Sequence, residues 1–394
     1  MAAMSTGPWK EWIPGALNDC QLRGLIGSGL IEKAELDAVD YSSLDLRLDD
    51  EGYEMVQGSI KPQGGGYEHF LTSQPAFARR LQFERDGTVV LLPKKTYVFK
   101  LMERLSMKLR DSSIHGQATA KSSVGRVDVL ARLIVDGMHS YEGFDTNTWS
   151  EGNGSMFLEV TPITFSVRVK VGRSLSQLRL FQGRPEHSTV SGKELYDAVL
   201  LRDGSSDEDE CLRVDLRNVP VGHRMAAAFR ARNENQVPVN LWVEKDGAGK
   251  PVNRPNPADY WEPAESQGLR FRVTQRNFYI LRSKERINLP RGVCVYCRAI
   301  DETIGEMRIH YAGFVHPYFG YPMKPGQAAG TPLIFEVRGH DVDVVLNDNE
   351  PLARLQFYRM SEDCTSAPDE QGFSPYNDQT LRLSQFFDDF PISN

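Results

Sequence analysis

The sequence is short of cysteine, with five in 394 residues. Thiols this sparse argue against a disulfide scaffold and fit a reducing compartment. Long apolar runs are missing too. None approaches the roughly 18 residues of a spanning helix, which excludes that kind of membrane segment. There is no basic excess: 46 lysines and arginines face 53 aspartates and glutamates, a net charge of −7. That balance argues against duplex nucleic acid as a partner. Residues 1–14 lack the basic-then-apolar pattern of a secretory leader. A soluble, cytoplasmic chain is expected. At roughly 100–200 residues per domain, two or three domains are expected, with no disulfide or metal needed to hold a core.

Several catalytic signatures are also absent. Neither Gly64-Gly-Gly66 nor Gly152-Asn-Gly154 fits a phosphate-loop or dinucleotide pattern; both read as turns. Gly-x-Ser-x-Gly does not occur. Cys294-Val-Tyr-Cys297 has a zinc-like spacing but stands alone. Its flanks read as a strand, where positions three apart point to opposite faces. These are expected to be structural cysteines. The zinc signature His-x-Glu with Pro-Cys-x-x-Cys fails as well. No histidine has glutamate two residues later, and Val293 precedes Cys294. No protein-bound metal, and no zinc, is expected.

What is present is strand-like. Segments 88–92, 96–101, 157–160, 165–171, 239–243 and 270–273 are rich in β-branched and aromatic residues, several alternating with period two. Two short helices are expected, over 15–25 and 30–40. The fold class is all-β dominated, a barrel or sandwich. Residues 183–211 are polar and end in an acidic run at 207–210, read as a solvated linker. A divergent repeat runs across it. Glu103-Arg104 falls on Glu285-Arg286 at an offset of 182. Leu158-Glu159-Val falls on Phe335-Glu336-Val, and Gln177-Leu falls on Arg354-Leu, both at 177. Blocks in the same order at near-constant offset mark a tandem duplication. The expected units are 1–190, a linker over 191–211, a second copy over 212–364 and a tail over 365–394.

The segment carrying chemistry is Lys121-Ser122-Ser123-Val-Gly-Arg126. Its cations suit phosphate oxygens, and its hydroxyls suit phosphate or water. Downstream, Glu159 sits in an apolar strand, where a carboxylate must be paired or protonated. These residues resemble the dCTP deaminase family, relatives of trimeric dUTPase with a β-clip barrel. Ser43-Leu-Asp45-Leu-Arg47, Gln177-Leu-Arg-Leu-Phe181 and the tail segment Tyr376-Asn-Asp-Gln379 extend the resemblance in order.

The resemblance implies two tandem β-clip domains and deamination of dCTP to dUTP and ammonia without zinc, feeding dUMP and dTTP synthesis. It assigns Glu159 as the proton shuttle at cytosine C4, with Ser122 and Arg126 positioning water and stabilising charge. Lys121 and Ser123 would hold phosphates, and Asp145 the sugar. Gln177, Tyr376 and Gln379 would contact substrate. Magnesium would arrive with the triphosphate, and dTTP is an expected inhibitor. The second half has Glu302-Thr-Ile-Gly-Glu306 in place of the serine loop, so it is expected to be chiefly scaffold, with Glu336 retained opposite Glu159. A trimer-like homo-oligomer is implied. Two alternatives stay open: a dUTPase or bifunctional deaminase–diphosphatase, with Asp128 as a candidate for activating water, and a non-catalytic nucleotide-binding module.

Overall fold

Period-two burial builds the first half. In Ser43–Met55, Leu44, Leu46 and Leu48 are buried while Asp45 and Arg47 reach the surface, the pattern of a half-buried strand. The computed structural model describes residues 11–61, 66–149, 152–202, 209–234, 237–300, 307–310, 313–322, 329–365, 376 and 379–391. Strands dominate it. The main path of the first sheet runs Gly143–Asp145, Ile114–Ala120, Ser174–Gln182, Ser43–Met55, Tyr97–Leu105, Ser155–Pro162, Val129–Val135. A bridge between Ile134 and Tyr141 brings its ends together into a nearly closed barrel. No helix among the described residues is long and apolar enough to cross a membrane.

The second half repeats this plan in two sheets, with Thr331–Gly339 paired to Phe278–Ile287 as Ser155–Pro162 is to Tyr97–Leu105. Buried chemistry is duplicated with it. Glu103 accepts from the Arg47 backbone N–H (2.8 Å) and Nε (2.7 Å). Glu285 accepts from the Arg213 N–H (2.7 Å) and Nη1 (3.2 Å). Arg104 caps the Asn153 carbonyl, and Arg286 that of Gly330. Gly154 and Gly320 both have positive φ, and a Cβ there would lie 1.9 Å and 1.8 Å from a carbonyl oxygen. Only glycine fits either position.

Three expectations change. Residues 30–40 form no α-helix: short strands Ile31–Glu32 and Val39–Asp40 flank a 3-10 turn at Leu36–Ala38. Pairing of Ile31 with Leu105 and Val39 with Leu44 outweighs the local helical pattern. The expected helix at 15–25 begins later, at Asp19, where Asn18 forms a capping box with Gln21. Nor is 191–211 a plain solvated linker. It contains the helix Lys193–Val199, Val199 and Leu200 are buried, and Asp209 and Glu210 pair with Arg213 and Arg354. Asp207 and Glu208 lie outside the described residues.

The halves interlock. Val239–Asn240 of the second half pairs in parallel with Val167–Lys170 of the first. One apolar core joins Leu133 and Leu158 to Phe229, Trp261 and Phe278, and to Leu381, Leu383 and Phe387 of the tail. Each such burial is worth roughly 1.5–3 kcal/mol. The tail is therefore anchored beside the joint between halves, where the serine loop also lies.

Candidate active site

The serine loop leaves Ile114–Ala120 at Lys121, whose N–H donates to the Leu175 carbonyl at 3.0 Å. One helical turn, Ser122–Gly125, follows and points Ser123 and Arg126 inward while Ser122 stays exposed. Lys121 forms an ion pair with Asp45. The tail closes over Ser123. The hydroxyls of Ser123 and Tyr376 lie 2.7 Å apart, and Gln385 Nε2 donates to Ser123 Oγ at 2.8 Å. Ser384 Oγ donates to the Ser123 carbonyl at 2.7 Å. The Arg126 guanidinium stacks 3.9 Å from the Tyr376 ring centroid and donates to the Arg382 carbonyl at 3.2 Å. A cavity of about 320 Å³ opens beside Ser123, bounded by Lys121, Asp45, Arg173, Trp242 and Gln385.

The acid beside this loop comes from the other half. Glu336 is buried in Thr331–Gly339, and no hydrogen-bond donor reaches its carboxylate among the described residues. Burial drives its pKa well above the ordinary 4.5, Arg126 opposes that rise, and Asp128 adds to it. Burial lowers the Arg126 guanidinium from its usual value, against the favourable influence of Tyr376 and Glu336. Among the described residues, four buried polar atoms here have no hydrogen-bond partner: Arg126 Nε, Asp128 Oδ1, Arg338 Nε and Gln379 Oε1. Clustered orphans of this kind are what a polar ligand would satisfy. The other Asp128 oxygen takes an ion pair from Arg338 and a 2.5 Å hydrogen bond from Thr164. Asp128 is thus built into the joint between the halves.

Glu159, expected beside the serine loop, stands elsewhere. Arg132 Nη2 reaches its Oε1 at 2.5 Å, while Ser59 (2.6 Å) and Tyr141 (3.1 Å) donate to Oε2. Both oxygens are occupied. The reason is the ladder: Glu159 registers with Arg132, whereas Glu336 registers with His310. Asp145 also falls outside the cluster. It faces His115 at 3.2 Å, at the start of the strand whose far end carries Lys121. Gln177 is buried between Asp45 and Thr119, 3.4 Å from the Thr119 hydroxyl. Gln379 Nε2 donates to the Pro332 carbonyl at 2.9 Å, tying the tail to the Glu336 strand. The segment 302–306 lies outside the described residues, as do Gly64, Gly65, Asn377 and Asp378.

Cys294 and Cys297 face apart in Val293–Ala299, each packing into a different apolar cluster. Burial, with help from Glu336, pushes the Cys297 thiol up to about 12. Sequence reasoning missed Arg338, Ser384 and Gln385. Arg338 had a signal, since it lies two residues beyond Glu336 and shares its strand face. The tail pair had none.

Residues 13–184 match the family model of the 2'-deoxycytidine 5'-triphosphate deaminase N-terminal domain, and residues 187–387 match that of its C-terminal domain. The chain belongs to the dCTP deaminase family. A crystal structure of 2'-deoxycytidine 5'-triphosphate deaminase from Agrobacterium tumefaciens aligns with a TM-score of 0.75 at 26% identity, covering 89% of this chain and 96% of that one. A search of curated proteins finds no match. The family places the chain among tandem two-domain enzymes of nucleotide metabolism with an all-β, dUTPase-like fold.

Proposed function

We propose that this dCTP deaminase family member converts dCTP and water to dUTP and ammonia at a site shared by its two halves, with Glu336 as the proton shuttle. The observation that carries this reading is the buried Glu336 carboxyl, which no donor reaches among the described residues, against Arg126 and beneath a tail that grips Ser123. Water must lose a proton as it adds to C4, and the departing amine must gain one. A single carboxyl with a raised pKa serves both transfers, typically worth roughly 10²–10⁴-fold. Arg126 would stabilise charge developing on the ring. Ser123 and Lys121 would hold phosphate oxygens once Lys121 turns from Asp45. Among the described residues no three metal-ligating side chains converge. Magnesium enters as part of the substrate, on the triphosphate, and no step is assigned to zinc. By the same family resemblance the chain forms a trimer-like homo-oligomer, which a solution mass measurement tests.

One assay tests the reaction: dCTP and magnesium, followed for ammonia, dUTP, dUMP and pyrophosphate. Ammonia with dUTP is expected. Appearance of dUMP and pyrophosphate would favour the diphosphatase reading. The site itself is tested by two amides. Glu336→Gln should fold and lose about 10²-fold or more in kcat. Glu159→Gln should keep most activity while losing about 1–3 kcal/mol of stability, a discount on a fully buried pair because Arg132 is about a third exposed. The reverse pattern would return the shuttle to Glu159.

A further inference from the structure

The cavity beside Ser123 contains a cation that the serine motif does not predict. Arg173 closes the turn Lys170–Arg173 at its rim. Its backbone is fixed from both sides: the Leu48 N–H donates to its carbonyl at 3.0 Å, and the Gly172 N–H donates to the Leu48 carbonyl at 2.8 Å. Its side chain is exposed and makes no hydrogen bond or ion pair among the described residues. The other two cavity cations are occupied, Lys121 by Asp45 and Arg47 by Glu35 and Glu103. Arg173 acts weakly on Glu244, which Trp242 (2.9 Å) and Lys170 (3.2 Å) already hold, and the acids lining the cavity itself are Glu35, Asp37 and Asp45.

The duplication supplies an internal control. The second half builds the same turn, with the Val214 N–H on the Glu350 carbonyl at 3.0 Å and the Asn349 N–H on the Val214 carbonyl at 3.1 Å. Gly172 and Asn349 both have positive φ, +78° and +68°. Backbone is retained, but the charge is reversed: Glu350 stands where the first half has Arg173. Lys121 is lost in parallel. Its N–H bonds the Leu175 carbonyl, and in the second half the Ile300 N–H bonds the matching Leu352 carbonyl; no lysine or arginine occurs from 299 to 306. A fold that kept the turn twice needed its cations once, beside the serine loop.

We propose that this cavity is the phosphate arm of the nucleotide site, and that Arg173 sets the preference for a triphosphate over shorter nucleotides. The proposal rests on the dCTP reading above. A guanidinium on a fixed turn is preorganised to take phosphate oxygens with two parallel donors. Trp242 and Gln385 would bound the arm from the second half and the tail.

The test uses the full chain with Arg173→Ala, Arg173→Lys and Arg173→Glu, which installs the second-half residue. Inorganic tripolyphosphate binding is measured by calorimetry, and dCTP and dCMP deamination by steady-state kinetics. Tripolyphosphate affinity and dCTP KM should worsen on the order of ten- to a hundredfold for alanine, more for glutamate and less for lysine. The loss should fall on KM rather than kcat, and dCMP should be little affected. Unchanged tripolyphosphate binding in Arg173→Ala overturns the phosphate arm. Wild-type protein that binds tripolyphosphate through Arg173 but deaminates no dCTP instead overturns the assigned reaction and leaves an anion site.

Discussion

A carboxyl withdrawn from water favours its protonated form, and at Glu336 this effect exceeds the pull of Arg126. It also fixes how stability must depend on pH. Below the ordinary 4.5, folded and unfolded chains both hold the proton, and the group contributes no difference. Above it the unfolded chain releases the proton first, so stability falls as pH rises towards the folded-state pKa. Glu336→Gln removes that pH dependence. Denaturant unfolding of the two proteins across pH should give similar stabilities near pH 4 and a widening advantage for the glutamine as pH rises. A difference that stays flat with pH would mean the carboxyl is not held protonated. Gly154 and Gly320 show the other way single residues act here: each permits a carbonyl contact that no side chain allows.

At the scale of elements, the tail does most to complete the site. Tyr376 contributes a ring over Arg126, worth about 0.5–2 kcal/mol, and a hydroxyl on Ser123, worth about 0.5–1.5 kcal/mol. Tyr376→Phe should therefore raise the KM for dCTP only a fewfold, and Tyr376→Ala should raise it further. Equal effects would show that the ring does not order Arg126. The strands were legible because β-branched and aromatic runs and period-two alternation are local: the segments read at 157–160 and 270–273 lie within Ser155–Pro162 and Arg270–Val273. The serine loop was legible because it is contiguous. What could not be read was which glutamate meets it. Glu159 and Glu336 have near-identical neighbours along the chain, and the difference lies across the ladder, where Arg132 takes one and not the other. The tail pair Ser384 and Gln385 was hidden for the same reason, since its partner Ser123 is more than 250 residues away.

At the scale of the whole molecule, duplication makes two corners, and they are not equivalent. One joins the first-half serine loop to the second-half Glu336, with the tail across it. The other holds Glu159, with both oxygens taken by Arg132, Ser59 and Tyr141. Its matching loop sequence carries Glu306 where Arg126 would stand, and a carboxylate repels phosphate. On the proposed reading, charge is arranged for one nucleotide, although the fold is written twice. Calorimetric titration with dCTP at low temperature on Glu336→Gln, which should bind without turnover, should give one site per chain. That ratio should hold whatever number of chains assembles, because the loop and its glutamate belong to the same chain. Removing Glu159 by Glu159→Gln should leave it at one. Two sites per chain, or a second site lost with Glu159, would show that the first-half carboxylate also serves a nucleotide.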